Sequence, residues 1–265
     1  MAGTARADLL QHGGAAVAAI GTPAFAAALS TLVRSTAHFT YTVIFGYCGG
    51  ARPVDLYDDF PKDRYKVFVT DYQDGPYLLD PFFLAATQNG PTGLHRMRDL
   101  APDRFYQGEY FRSYYVRTGL AEEVGYFVAL PGGARIVLSL MRDERPFSSR
   151  NLRDLAELYP LIEACVHQNW GDLAGLFSTN LPASSDAAAS RIEQSFQSFG
   201  QGLLTPRERE VVEYTLKGHS ADATGRILEI SPGTVRIHRR NIYAKLQIGS
   251  QGELFSRFIQ TISRP

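Results

Sequence analysis

Along the chain the apolar positions follow two periods, and each period predicts a different kind of element. Thr22-Pro23 has the form of a helix N-cap followed by proline at the first helical position, and the alanine-rich run after it predicts a helix to about Ser35. "FTYTVIFGYCG" (39–49) is dense in β-branched and aromatic residues and predicts a strand, with a second at 53–57. From about 62 to 118, short helical stretches rich in aromatics are separated by Gly and Pro. "EEVGYFVALPGGARIVLSLMR" (122–142) predicts two strands joined at Pro131-Gly132-Gly133. Leu152, Leu155, Leu158, Leu161, Ile162, Cys165 and Val166 recur at helical spacing, which predicts one long amphipathic helix from Ser149 to about Asp172. This order implies an α+β domain over 10–178: a PAS/GAF-like α-β-α sandwich with an antiparallel sheet and helices on its faces.

The polar, small-residue stretch "STNLPASSDAAAS" (178–190) marks a linker, placed at 179–200. Beyond it, 201–265 predicts an all-α unit of four short helices. Thr205, Pro206 and Glu208 form a capping box with proline at the first position, and Gly218 closes that helix. Ser220 can cap the second helix, which carries Ile227 and Leu228. Ser231-Pro232 opens a third with Val235, Ile237, Ile242 and Leu246 among its apolar positions. A fourth, from about Gln251, carries Leu254, Phe255, Phe258 and Ile259. The second and third meet in a tight turn around Glu229-Ile230, a helix-turn-helix arrangement whose later helix enters the DNA major groove. Arg236 and Arg240 are spaced i, i+4 and share a face, where a planar guanidinium can address guanine O6 and N7 together. Ile237 is placed to touch a thymine methyl, and Arg239 and Lys245 lie further round, toward phosphates.

Charge sharpens this division. The 265-residue chain is formally neutral, yet the tail from 201 carries ten basic and six acidic residues, which suggests an anionic partner for the tail. Two cysteines, Cys48 and Cys165, make neither a disulfide framework nor a CxxC zinc site, in keeping with a reducing cytoplasm. Cys48 reads as a small buried hydrophobe or as a redox-sensing thiol. His12, His38, His95 and His167 are scattered without an i, i+4 pair, so no metal site is indicated. No GxSxG or P-loop occurs, no cofactor is implied, and no nucleophile and base pair can be nominated, so an enzyme is disfavoured. "GGAAVAAIGTPAFAAAL" (13–29) has the small residues of a signal-peptide region, but Gly21 and Pro23 interrupt it and an internal helix pair fits better. There is no stretch of about 18 uninterrupted apolar residues to span a membrane.

"LTPREREVV" (204–212), "LEISPGTVRIHRRNIYAKL" (228–246) and "ELF" (253–255) resemble the C-terminal DNA-binding domain of LuxR-type transcriptional regulators. The resemblance implies a four-helix helix-turn-helix with Arg236, Ile237 and Arg240 facing bases and Thr234 and His238 close to the phosphate backbone. It further implies a homodimer, joined through the fourth helix, on a pseudo-palindromic operator in double-stranded DNA. Ala221 and Ala223-Thr224-Gly225 depart from the family's usual second helix: Gly225 in a helix interior costs about 0.8–1.0 kcal/mol relative to alanine, and Thr224 weakens a core position.

In the N-terminal region, "YLLDPFF" (77–83) and "GLAEEVGYFVALPGGARIVLSL" (119–140) resemble the family's autoinducer-binding domain, which implies a quorum-sensing type of small-molecule sensor. The tryptophan expected upstream of the Asp-Pro pair is absent, the sole tryptophan being Trp170, which points away from a standard acyl-homoserine lactone. Asp80 among Tyr72, Tyr77, Phe82 and Phe83 reads either as an anchor for an amide or amine or as an exposed helix cap before Pro81. Tyr41, Phe45 and Tyr47 place their rings on one strand face, as pocket wall or as core. The alternative for this region is a protein-interaction or ligand-independent dimerisation module without a pocket.

Overall fold

The computed structural model describes residues 2–88, 90–178 and 194–262; most of the linker expected at 179–200 lies outside them. Two helices open the chain, α1 (Ala2–Ala18) and α2 (Phe25–Thr36). The second starts three residues after Thr22 because 19–24 form a turn with Gly21 at φ 78°. The Thr22 hydroxyl accepts only the Ala24 N–H, at 3.3 Å. The alanine-rich stretch is thus a helix pair, and it is packed: Ala16, Phe25, Leu29, Leu32 and Val33 are buried in one core.

Five antiparallel strands, β1 (Tyr41–Cys48), β2 (Val54–Asp58), β3 (Gly93–Arg96), β4 (Glu122–Ala129) and β5 (Ala134–Arg142), form one sheet in the order β2-β1-β5-β4-β3. The β4–β5 hairpin turns at 131–133 with Gly132 and Gly133 at positive φ, where a Cβ would be strained. Edge strand β3, Gly-Leu-His-Arg, is too short and too poor in β-branched residues to announce itself in sequence.

Alternation along the strands divides the interior in two. Ile44, Val124, Tyr126, Ile136, Leu138 and Leu140 face α1, α2, α4 (Ser149–Glu157) and α5 (Tyr159–Trp170). The Tyr126 hydroxyl ties the sheet to α4 by donating to the Leu155 carbonyl at 2.7 Å. Val43, Phe45, Tyr47, Phe127, Val137 and Met141 face the aromatic middle segment, which includes α3 (Pro81–Thr87). The single closing helix expected from Ser149 is therefore two. It breaks at Leu158 because Pro160 follows in the first turn of α5 and has no N–H to continue the hydrogen-bond ladder.

The C-terminal region forms α6 (Pro206–Leu216), α7 (Ala221–Ile227), α8 (Pro232–Leu246) and α9 (Gln251–Ile262). Each of the first three has the cap its sequence announces. Thr205 and Glu208 exchange capping-box bonds, Ser220 accepts the Ala223 N–H at 3.0 Å, and Ser231 accepts the Thr234 N–H at 3.0 Å. The turn between α7 and α8 uses Glu229 in the left-handed region, φ 54°. Here the expectation for Gly225 changes sign: a Cβ there would sit 2.7 Å from the Ile230 carbonyl oxygen, so the tight turn needs the glycine. Thr224 is wholly buried and its hydroxyl has no partner among the described residues.

Candidate functional site

The recognition helix is built from both sides of α8. Val235, Ile242 and Leu246 are buried in one cluster with Val211, Val212 and Leu216 of α6 and Leu254 and Phe258 of α9, while Arg236, Ile237 and Arg240 are exposed. Ile237 is 52% exposed, unusual for an isoleucine on a packed helix, and it lies beside two exposed arginines. Thr234 and His238 are half-buried at the edge of this face, and the Thr234 hydroxyl is 2.8 Å from that of Ser231.

Arg239 and Lys245, expected at phosphates, are engaged within the domain. Arg239 donates from Nε to the Thr215 hydroxyl and from a terminal nitrogen to the His219 carbonyl, each at 3.0 Å. Lys245 Nζ pairs with Glu208 at 2.6 Å, binding the end of α8 to the capping box of α6. Arg207, not singled out by sequence, donates to the Leu228 carbonyl at the α7–α8 turn and to Glu210. The apolar side of α9 is covered from within the chain: Phe196 stacks on Phe258 at 4.6 Å and Phe199 meets the same ring edge-on.

In the N-terminal region, a partly enclosed cavity of about 40 Å³ lies between the sheet and the middle segment. Of the aromatic and acidic residues expected there, Phe45, Tyr47, Tyr72 and Asp80 line it. Tyr41, Tyr77, Phe82 and Phe83 do not. Tyr41 packs on Phe60 and Phe68, Tyr77 on Phe83, and Phe82 fits under Gly125 against Phe127.

Asp80 is a helix cap, but a buried one. One carboxylate oxygen caps α3 by accepting the Phe82 N–H at 2.9 Å, and the other accepts the Tyr72 hydroxyl at 2.6 Å. It is not exposed as a simple cap would be, for only 6% of it is accessible. Tyr47 extends the chain, its hydroxyl 3.1 Å from that of Tyr72.

The residue that sequence reasoning missed is Glu123, on β4. It reaches the cavity from the opposite wall, 7% accessible, and accepts the Tyr115 hydroxyl at 3.2 Å. Its signal was the Glu122-Glu123 pair on a strand, since alternation forces one carboxylate to each face. Strand register also brings Ser139, Met141 and Val43 into the wall, because Glu123 pairs with Met141 and Ser139 with Val43. Burial pushes the Asp80 carboxyl up to about 6. Burial, aided by the charge of Asp80, pushes Glu123 up to about 8.

An exposed arginine-bearing helix on a capped helix-turn-helix, joined to a sandwich with a small, partly enclosed cavity, defines a helix-turn-helix regulator. Residues 202–258 match the family model described as bacterial regulatory proteins, luxR family. The chain is 36% identical over 184 residues to an HTH-type transcriptional regulator in the exeN 3′ region of Aeromonas salmonicida, covering 68% of this chain and 93% of the relative. The chain belongs to the LuxR family of transcriptional regulators, which are not enzymes. It is also 27% identical over 179 residues to the monoamine regulon transcriptional regulator of Klebsiella aerogenes, covering 68% of this chain and 67% of that one. The sandwich shares its fold with the LBD domain of VqsR from Pseudomonas aeruginosa, with a TM-score of 0.54 and 23% identity over 60% of this chain and 94% of that chain. No helix among the described residues is long and apolar enough to cross a membrane.

Proposed function

We propose that the protein is a cytoplasmic, homodimeric regulator in which a small effector, bound in the cavity of the 10–178 domain, controls binding to a pseudo-palindromic operator. The observation that carries the DNA-binding part is the split character of α8, buried at Val235, Ile242 and Leu246 and open at Arg236, Ile237 and Arg240. On this reading Arg236 and Arg240 address guanines, Ile237 meets a thymine methyl, and Thr234 and His238 lie along the phosphates. Arg239 and Lys245 hold the helix at its angle rather than touch DNA.

The effector part rests on the cavity and on its route to the DNA-binding domain. Met97, Tyr110 and Tyr115 line the cavity on either side of 102–109, the segment that touches the C-terminal domain. There the Arg104 N–H donates to the Gly218 carbonyl at 2.9 Å, and Asp103 accepts the Ser220 N–H at 3.0 Å. A ligand that moves this segment would shift the helix-turn-helix relative to its dimer partner, and half-sites one helical turn apart are sensitive to such a shift. One relative is named for a monoamine regulon, which puts small amines first among compounds to assay.

The DNA-binding reading is tested with Arg240→Ala on an operator enriched from a random duplex pool. Fluorescence anisotropy should show discrimination between operator and random duplex falling by about five-fold to a hundred-fold, with weaker overall binding. Equal losses on both duplexes would contradict base contact.

A further inference from the structure

Two buried carboxylates share one cavity whose described lining residues include no lysine, arginine or histidine. Neither Asp80 nor Glu123 forms an ion pair among the described residues. The neighbouring residue on β4 supplies an internal contrast. Glu122 is about as buried, but it faces the other way, pairs with Arg96 and Arg98, and accepts the Phe147 N–H at 2.6 Å. Where this fold buries a carboxylate for structure, it provides cations. On the cavity side the partners found among the described residues are neutral: the Tyr72 hydroxyl and the Phe82 N–H for Asp80, the Tyr115 hydroxyl and Ser139 for Glu123.

Aromatic faces complete the wall. Phe45 and Tyr72 lie with ring centroids 5.1 Å apart, and Tyr47, Phe68, Tyr110 and Tyr115 also border the space. Carboxylates opposed across rings are the chemistry that holds an alkylammonium, by charge-assisted hydrogen bonds and cation–π attraction. A neutral amide could use Asp80 as acceptor and a protonated Glu123 as donor, but it would leave the proton on Glu123 in place, whereas an ammonium makes both carboxylates acceptors.

We propose that the cavity takes a small primary amine as its ammonium ion, held between Asp80 and Glu123. This rests on the effector-cavity reading above and names the ligand class for it. The charge balance is simple. With the cavity empty, burial and Asp80 keep a proton on Glu123 near neutrality; the titratable groups around it are Asp80 and the hydroxyls of Tyr47, Tyr72, Tyr110 and Tyr115. When the ammonium enters, Glu123 gives its proton to solvent and the net charge of the site is unchanged. A neutral isostere has no reason to displace that proton.

Calorimetry on the full-length protein with methylamine and ethylamine, small enough for the cavity, against methanol and ethanol tests this, repeated in buffers of different ionisation enthalpy. Amines should bind saturably below about 1 mM, at least about tenfold tighter than the alcohols, with release of about one proton per site at pH 7. Glu123→Gln, which keeps the shape and the Tyr115 contact, should lose about tenfold or more for amines, lose the proton release, and leave alcohol binding and the thermal midpoint intact. Alcohols binding as tightly as amines would sink the ammonium site and leave the effector cavity standing. Amines binding Glu123→Gln as well as wild type would overturn the role of Glu123. If neither class saturates, the ammonium proposal fails. The cavity reading is then judged separately, by native mass spectrometry of the full-length protein with mass analysis of anything released on denaturation.

Discussion

At the scale of single residues, cationic side chains on one helix divide by what their neighbours already supply. Arg236 and Arg240 stand in solvent, while Arg239 is folded across the interior face between α6 and α8 and satisfies the Thr215 hydroxyl and the His219 carbonyl. Burial lowers the affinity of Arg239 for its proton, an environment unlike that of a phosphate clamp. Arg239→Ala should therefore cost about 1–3 kcal/mol of C-terminal-domain stability, since it strips hydrogen bonds from partly buried groups. Arg236→Ala should stay within about 0.5 kcal/mol. Urea denaturation followed by far-UV circular dichroism separates the two, and equal stability of both variants would return Arg239 to the list of free cations. Sequence spacing could not make this distinction. It fixes the angular position of Arg239 around α8, but the acceptors it finds come from α6 and from residue 219, which are remote in the chain.

At the scale of elements, the turn between α7 and α8 shows a local rule overridden by tertiary contact. Helix propensity alone makes Gly225 a weakness, whereas the approach of the Ile230 carbonyl makes it a requirement. Its neighbour is the real defect, because the Thr224 hydroxyl is buried without a partner among the described residues. Opposite signs are expected for adjacent substitutions. Thr224→Val keeps the branched shape and removes the orphan hydroxyl, and should stabilise by about 1 kcal/mol. Gly225→Ala should destabilise despite the better propensity of alanine, by about 1–3 kcal/mol if the turn must open. Thermal melts of the two single variants decide the matter; a rise for Gly225→Ala would mean the turn yields freely. Elsewhere the elements were legible wherever caps and periods acted locally, as in α6, α8 and the β4–β5 hairpin. They were not where a single proline broke a long pattern at Leu158, or where β3 had only four residues and leaned on β4 for its identity. Half the cavity wall was hidden for a related reason. Glu123 and Ser139 enter through strand register, and register belongs to the pairing of two strands rather than to either one.

At the scale of the whole molecule, one continuous apolar cluster runs from the cavity-side face of the sheet, through Phe105 and Tyr110, to Val211, Leu216 and Val235 of the DNA-binding domain. Along it, 103–108 meets 218–220 directly. Gly218, at φ 94°, lets the Phe105 backbone approach so closely that a Cβ would lie 2.9 Å from the Phe105 Cα. Asp103 then meets the Ser220 N–H, an amide at the N-terminus of α7 that no bond within the helix would satisfy. This seam leaves Arg236 and Arg240 exposed, so it restrains the orientation of the recognition helix without covering it. Asp103 is itself exposed, which makes it a place to break the seam without disturbing either core. Asp103→Lys removes the acceptor and brings a third cation beside Arg104 and Arg239. The expected result is two thermal transitions in calorimetry where wild type shows one, a larger radius of gyration by small-angle scattering, and retained binding to random duplex DNA. Identical melting and scattering in the variant would show that the contacts at Gly218, its hydrogen bond from the Arg104 N–H included, hold the two domains without Asp103. Loss of random-duplex binding would show that the seam supports α8 itself, and the route from cavity to operator would then have to run through the fold of the DNA-binding domain rather than its orientation.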